Sequence, residues 1–398
     1  MLRSLTPMVL YLSAYIFGCQ STTQRPTITL PELQQEITHQ VRDEFRQKMK
    51  TMERLEAISD RLLASSLPLC KDRKAIYRFD YFDRHLFYNL DAITQALVLD
   101  YAGLEEIPAY PMVYKSQHPD LEESDQILEI GGRSVEATYR PAKSVTDGMG
   151  NVRKISGSWP DVVGKALKRA KRKYGIKQTP IVVKRRVEYW PSSNRVDRPA
   201  YKDSIFSTTI RLRAACVNEV FYVEDKEVNA YTDGKNIFVT EGMLNFATDE
   251  ELAIVIAHEL GHCYESHIDK KINNRMLGEM AAAILNTAAA QVLGIPTVIT
   301  KSEGATVGAM VYSQEFELEA DYIGLYLLAR AGYSTETSAR FWRKMAERAP
   351  LKSNNLIGTH PPTAERYLLL EKTHKEIEAK KARDEKLLPN RKGVALHE

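Results

Sequence analysis

The chain has 398 residues, of which 43% are hydrophobic, so it can bury more than one apolar core and is not an intrinsically disordered protein. Its 55 Lys and Arg residues nearly balance 52 Asp and Glu residues, which leaves a formal net charge of +3. This balance provides no overall field that would select nucleic acid or an acidic substrate. We therefore expect two or three domains and no nucleic acid partner, and the function has to be inferred from local motifs.

The N-terminus has the pattern of a secretory signal. An uncharged apolar stretch, Leu5–Phe17, is too short for a comfortable membrane span. It leads into the tetrapeptide Ile-Phe-Gly-Cys, which resembles the bacterial lipobox, although phenylalanine is bulkier than that pattern usually carries. We expect residues 1–18 to be a lipoprotein signal peptide, Cys19 to carry lipid and residues 19–30 to be a polar tether. An ordinary signal peptide or an uncleaved anchor is the alternative.

Secretion has consequences for the location of the protein and for the oxidation state of its other cysteines. The expected location is the bacterial cell envelope, with Cys19 anchored in the outer membrane and the protein facing the periplasm. An oxidising compartment preserves disulfides. Cys263 adjoins a candidate metal ligand and is interpreted as a small buried residue, which leaves Cys70 and Cys216 as a possible disulfide. Sequence alone does not show that these two lie close enough to bond.

Two elements are predicted before the middle of the chain. Apolar side chains recur at helical spacing over residues 31–67, which predicts a long amphipathic helix. Residues 70–190 mix β-like runs with turns, and Leu121–Val135 resembles the strand and turn of a PDZ domain. In that pattern a leucine, two residues and Gly-Asp precede an apolar strand, and Ser124 stands where the glycine is usual. The alternative is a β-hairpin closed by Gly131-Gly132.

Further along the chain, alternating β-branched runs predict a small antiparallel sheet. The runs are Ile181–Val183, Thr208–Leu212, Val220–Val223 and Ile237–Val239. Helical patterns dominate from there on. Residues 371–398 are charged enough to form a solvated helix or a tail.

The most informative helix contains two histidines separated by four residues. Thr248 and Glu251 form a capping box that fixes where this helix begins. His258 and His262 then share one helix face, about 5–6 Å apart at Cβ, which suits two ligands of one zinc ion. Glu259 can reach a zinc-bound water as the general base. The alternative is two solvated histidines without a metal.

A catalytic zinc needs a third protein ligand. The metzincin pattern would place glycine and histidine where this chain has Glu265 and Ile268, so that pattern does not apply. Glu317 is the better candidate, because it shares a helix face with Asp321 while Glu319 points elsewhere. Asp321 can accept a hydrogen bond from a ligand histidine.

Together these residues resemble a known peptidase family, the one that includes HtpX and the CAAX prenyl proteases. Five motifs over roughly residues 200–370 carry the resemblance in order: Asn229-Ala230-Tyr231, Gly242-Met243-Leu244, His258-Glu259-Leu260-Gly261-His262, Glu317-Leu318-Glu319-Ala320-Asp321, and His360-Pro361 with Arg366. Secreted or organellar quality-control peptidases are the most similar branch.

The resemblance implies roles for these residues. Glu317 would be the third zinc ligand, with Asp321 as a partner behind the ligands. His360 and Arg366 would stabilise the reacting centre. Asn229, Ala230 and Tyr231 would belong to an edge strand against which the substrate lies.

The predicted fold is α+β. A mainly helical zincin-type peptidase domain with a small antiparallel sheet, at residues 200–370, follows a long helix and a β-rich PDZ-like domain. The predicted function is a metalloendopeptidase with one Zn²⁺ per chain, which cleaves unfolded or damaged proteins at the cell envelope. Two alternatives stay open: a lipid-anchored, zinc-containing chaperone or binding module with little peptidase activity, and a zinc hydrolase of non-peptide substrates.

Overall fold

A computed structural model describes most of the chain beyond the predicted tether. The described residues are 26, 28–77, 79–116, 118–140, 143–146, 152–155, 160–175, 178–189, 199–273, 276, 313–348, 360 and 363–391. Cys19 and the predicted signal peptide lie outside them. Two compact units are distinguished, Met1–Gln47 and Lys48–Glu398.

The helices of the described residues are α1 (Leu30–Ser65), α2 (Arg84–Phe87), α3 (Ala92–Ala102), α4 (Val162–Tyr174), α5 (Glu241–Phe246), α6 (Asp249–Tyr264), α7 (Ser313–Arg330), α8 (Ser338–Arg348) and α9 (Ala364–Ala382). Residues 267–273 are also helical. Among the described residues, no helix combines the length and apolar composition that crossing a lipid bilayer requires.

The strands are β1 (Arg73–Ile76), β2 (Phe79–Phe82), β3 (Met112–Ser116), β4 (Gln126–Ile130), β5 (Lys143–Thr146), β6 (Val152–Ile155), β7 (Thr179–Tyr189), β8 (Ala200–Ile210), β9 (Arg213–Cys216), β10 (Val220–Val223), β11 (Ala230–Thr232) and β12 (Ile237–Thr240). Together with the helices they confirm the α+β class.

The long predicted helix is present as α1, close to its predicted ends. Thr29 and Glu32 start it, since the Glu32 carboxylate accepts a hydrogen bond from the Thr29 amide at 2.8 Å. Within the second unit, α1 buries Leu55, Ile58 and Leu62 in the helical core. Three apolar residues at helical spacing thus attach this part of α1 to the core.

The β-rich segment forms an antiparallel five-stranded sheet with the order β2-β3-β4-β7-β8. Helix α4 covers the sheet, and Val163 packs among the buried residues of its strands. Ser124 has a φ of 71°, in the left-handed region that favours glycine. Its backbone therefore adopts a conformation that the usual glycine of the PDZ pattern would supply. The PDZ-like assignment stays a prediction.

The prediction of one small antiparallel sheet from the later β-branched runs was wrong in its pairing. Strands β7 and β8 belong to the five-stranded sheet, whereas β10 and β12 lie in a separate three-stranded sheet with the order β10-β12-β11. There β10 runs parallel to β12, and only β11 is antiparallel to it. Alternation of apolar residues identifies strands, but it does not specify which strands pair.

Strand β8 pairs with β7 along its whole length, from Ala200 opposite Tyr189 to Ile210 opposite Thr179. The five-stranded sheet therefore crosses the boundary predicted between residues 190 and 200. The domain boundaries stay predictions.

Cys70 and Cys216 are joined by a disulfide, with their Cα atoms 5.9 Å apart. Both are buried in the helical core, and Cys216 ends β9, which pairs with β1. The bond links residues 146 positions apart and ties the segment after α1 to the strand that leads into the three-stranded sheet. Cys263 is free and buried.

The helical core is built on the contact between α6 and α7. A Cβ atom added at Gly261 would lie 2.7 Å from the backbone oxygen of Ala320, and one added at Gly324 would lie 3.2 Å from the backbone of Ala257. The two helices therefore approach with almost no side chain between their backbones. Helix α9 packs on the other side of α7.

The predicted C-terminal helix or tail is partly helix, because α9 continues to Ala382. The segment after it folds back onto the core. Lys380 donates to the carbonyl of Leu388 at 2.7 Å, the amide of Asn390 donates to the Tyr322 hydroxyl at 3.0 Å, and Arg391 pairs with Glu265 at 2.7 Å. These contacts fix the chain next to the end of α6.

Replacing Cys70 and Cys216 together with alanine should lower the free energy of unfolding by about 2–5 kcal/mol, because the unfolded chain regains freedom that the disulfide removes. Urea denaturation measures this. Reductant should cause a similar loss in the wild type and none in the double variant, while Cys263→Ala should respond to reductant as the wild type does. Alkylation of both thiols in non-reduced wild type would contradict the bond.

Gly261→Ala should lower stability by about 1–3 kcal/mol, because its methyl group must push two backbones apart. Gly324→Ala should cost less, since its Cβ has 3.2 Å available rather than 2.7 Å. Thermal unfolding of the two variants tests this order. Equal losses would show that the closer contact is not the tighter constraint.

Candidate metal centre

Helix α6 presents the two motif histidines in a fixed register. The capping box is present: the Thr248 hydroxyl accepts from the amide of Glu251 at 3.3 Å, and the Glu251 carboxylate accepts from the amide of Thr248 at 3.0 Å. Lys344 of α8 also donates to Glu251 at 2.8 Å. From Leu252 to Tyr264 every residue is buried, so the helix runs through the interior.

Four buried side chains converge where α6 meets α7: His258, His262, Glu317 and His360, each offering an atom within 4.8 Å of the others. Glu317 lies 3.3 Å from His258 Nε2 and 3.4 Å from His262 Nε2, and 2.9 Å from His360 Nδ1. The Nε2 atoms of His258 and His262 are 3.1 Å apart.

This donor set fits zinc. Ligand atoms at about 2.0–2.1 Å from a tetrahedral zinc are about 3.3 Å from one another, close to the separations in this cluster. Imidazole nitrogens and a carboxylate oxygen are also ligands that zinc prefers. The residues predicted to bind zinc are therefore gathered in one place, and zinc is the cofactor that the cluster fits.

Glu259 is fully buried, and neither of its carboxylate oxygens has a hydrogen-bond partner among the described residues. His360 Nε2 lies 3.4 Å from one of these oxygens. Burial raises the pKa of Glu259. A buried carboxylate without hydrogen bonds is costly, and such groups occur mainly where they serve a function or meet a solvent molecule or ion.

Asp321 and Arg366 support the cluster from behind. Asp321 Oδ1 lies 2.9 Å from His258 Nδ1, and its Oδ2 accepts from Arg366 Nε at 2.7 Å. Arg366 also donates to the backbone oxygen of His360 at 3.0 Å. Burial raises the pKa of Asp321, but the Arg366 charge and the hydrogen bonds outweigh burial and lower it. The structure thus places Arg366 where it holds Asp321 and His360.

The pKa values of the two motif histidines are shifted in opposite directions. Burial lowers the pKa of His258, but hydrogen bonds to Asp321 and Glu317 outweigh it and raise the pKa to about 9. Burial dominates at His262 and lowers its pKa to about 3.

Comparison with known proteins identifies this region. Residues 205–374 match the sequence profile of Peptidase family M48. They form a family M48 peptidase domain. Every member of the metal cluster lies within this M48 domain.

Curated relatives match over the same part of the chain. Mitochondrial metalloendopeptidase OMA1 of Arabidopsis thaliana is 34% identical over 154 residues, 38% of this chain and 30% of the relative. Metalloprotease LoiP of Escherichia coli strain K12 is 32% identical over 146 residues, 35% of this chain and 56% of the relative. The beta-barrel assembly-enhancing protease of the same strain is 26% identical over 152 residues, 35% and 31% of the two chains. The matches thus span from about a third to about half of the relatives' length.

The sequence-predicted residues of the M48 domain are placed as follows. Glu317 faces the histidines and Glu319 does not enter the cluster. His360, expected beside the reacting centre, instead contributes Nδ1 to the donor cluster and turns Nε2 toward Glu259.

The predicted edge strand of the M48 domain is β11. Ala230 is buried and Tyr231 is exposed on the opposite face, with Asn229 just before the strand. Thr232 Oγ1 lies 3.0 Å from Cys263 Sγ, which follows His262. Among the described residues β11 pairs with another strand only on its β12 side.

Sequence reasoning missed two side chains of the M48 domain that contact the cluster. Trp342 of α8 packs its ring 5.1 Å from that of His258, and the Arg366 guanidinium lies 4.5 Å over the same indole. The second is His267, whose Nδ1 atom is 2.9 Å from Nδ1 of His262. His262 and His267 are five positions apart, which does not place two side chains on one face of a helix. Ser266 has a φ of 55° and turns the chain so that His267 reaches the site.

Glu317→Gln should abolish stable zinc binding, because it removes the only anionic donor of the cluster and leaves a weak amide ligand in its place. The matched control is Glu315→Gln, two residues earlier on α7 and exposed. Elemental analysis after gel filtration should find close to one zinc per chain in the control and the wild type. Full zinc content in Glu317→Gln would place the carboxylate ligand elsewhere.

Proposed function

We propose that this chain is a zinc-dependent metalloendopeptidase that acts on unfolded or damaged proteins at the cell envelope. The observation that carries the proposal is Glu259, a buried carboxylate without a hydrogen-bond partner next to a four-donor cluster. A zinc hydrolase requires a proton acceptor in that position.

His258, His262 and Glu317 would hold the zinc ion. When bound, zinc supplies a Lewis acid that polarises the scissile carbonyl and lowers the pKa of the attacking water to about 7. Glu259 takes the proton of that water and delivers it to the leaving amine. Burial raises its pKa, which strengthens its affinity for that proton.

His360 also has a role in the proposed mechanism. A catalytic zinc site keeps one position open, whereas four protein donors close it. Of the four donors, His360 would therefore be the one that does not hold the zinc ion, and it would stabilise the charge that develops on the carbonyl oxygen. Its position beside Glu259 and the Arg366 bond to its backbone keep it near the site.

The substrate would bind as an added strand along the open edge of β11. Main-chain hydrogen bonds provide affinity without requiring a particular sequence, so any extended, unfolded segment can bind. The curated relatives, which are named as metalloendopeptidases or proteases, support a peptide substrate.

The envelope location and the lipid on Cys19 are part of the proposal. The lipobox-like tetrapeptide supports them, and the Cys70 to Cys216 disulfide is of the kind that oxidising compartments preserve. We also propose that the five-stranded sheet is a PDZ-like module, which the left-handed backbone at Ser124 supports.

A zinc-containing binding module is the second candidate. The observation that favours it is the donor cluster itself, because four protein ligands are typical of structural zinc. The two candidate functions differ in whether activity depends on Glu259 as a proton acceptor.

Glu259→Gln should keep zinc and fold but lose about 10²–10⁴ in the rate of peptide cleavage, because the amide cannot accept the proton. The assay is hydrolysis of an unfolded protein by zinc-loaded enzyme. Glu250→Gln, an exposed change on the same helix, is the control. Equal cleavage by the wild type and Glu259→Gln, or none by a zinc-loaded wild type, would favour the binding module.

A further inference from the structure

Different neighbouring side chains orient the rings of the two motif histidines. Nδ1 of His258 is in direct contact with a carboxylate oxygen, Oδ1 of Asp321, at 2.9 Å. Among the residues that the structure describes, none places a carboxylate in hydrogen-bond contact with Nδ1 of His262. That atom meets another ring nitrogen, Nδ1 of His267, at 2.9 Å, and Nε2 of His267 lies 2.9 Å from the Glu319 carboxylate.

This chain of contacts determines the tautomers. A carboxylate only accepts hydrogen bonds, so the proton of His267 is on Nε2, where it is donated to Glu319. In the neutral form of His267, Nδ1 is then an acceptor, and the proton shared with His262 belongs to Nδ1 of His262. His262 is left with a lone pair on Nε2, the atom that faces Glu317 and His258 in the cluster.

We infer that His267 and Glu319 are positioning residues for His262: Glu319 selects the tautomer of His267, and His267 in turn holds the His262 ring with Nε2 ready to bind zinc. The inference concerns the same zinc centre as the proposed function and rests on it. Glu319, which does not enter the cluster, thereby acts on it through an intermediate ring.

The surroundings of His267 fit this role. Its ring is 2% exposed and stacks on Phe316 at 4.5 Å with the planes 13° apart, so it cannot rotate freely. Lys270 lies 3.6 Å from Glu319 and helps to keep that carboxylate in place.

A histidine of this kind can also be merely a satisfied core residue. The two roles differ in what a substitution changes. A core residue affects folding stability, whereas a positioning residue affects the affinity of the site for zinc in a protein that remains folded. Partners of ligand histidines typically contribute 10–100-fold to metal affinity.

The test is zinc affinity, measured by competition with a chromogenic chelator, in His267→Phe, Glu319→Ala and the double variant. His267→Phe keeps an aromatic ring on Phe316 but removes both hydrogen bonds. We expect its zinc dissociation constant to rise about 10–100-fold. Glu319→Ala should raise it by less, and it should add nothing in the His267→Phe background, because Glu319 acts only through His267. The control is Glu315→Ala on the same helix, with no change expected.

A second measurement is the tautomer of His262 by ¹⁵N NMR of labelled histidine. The wild type should carry the proton on Nδ1, and both single variants should show a mixture. Unchanged zinc affinity and an unchanged His262 tautomer in both single variants would overturn the inference while leaving the zinc centre intact. A wild type without zinc affinity would overturn the centre and the inference together. Because Glu319 is half-exposed, its variant provides a result even if His267→Phe does not fold.

Discussion

The close contact between α6 and α7 is the constraint on which the site depends. Gly261 has no side chain, so the backbone of Ala320 can lie where a methyl group would otherwise be. That approach brings Glu317, on one helix, to within 3.4 Å of both motif histidines on the other. The spacing of the histidines alone cannot do this, because two residues on one helix provide only one side of a metal site. The glycine inside the motif is therefore a structural requirement for bringing Glu317 to the two histidines.

Charge is the second organising feature. Glu259, Glu317 and Asp321 are buried close together, and Arg366 is the buried guanidinium that faces them. Burying carboxylates is expensive unless each charge is paired or binds a metal. Arg366 satisfies Asp321 in a two-point contact, which leaves Glu317 inside the donor cluster and Glu259 beside it. A divalent cation in that cluster would balance the remaining negative charge.

Short-range spacing identified the candidate residues within each helix, and His360 and Arg366 followed only from the family resemblance. Spacing failed where geometry depends on turns or on pairing over long distances. His258 and His262 follow from one helical turn, and Glu317 with Asp321 follow from another. His267 could not be found in this way, since a left-handed residue at Ser266 interrupts the helix. The parallel pairing of β10 with β12 was missed for a related reason, because β11 intervenes in sequence but lies on the outer side of β12. Trp342 reaches His258 from a helix that carries no recognisable motif.

The packing of Trp342 has a practical consequence. Its indole is 1% exposed, lies 5.1 Å from the ring of His258 and has the Arg366 guanidinium 4.5 Å over its ring. Indole emission is sensitive to charge and ring contacts at this range, so filling or emptying the cluster must alter the fluorescence of this residue. The chain thus contains an intrinsic optical reporter at its metal centre, through which ligand exchange can be followed in time without a label.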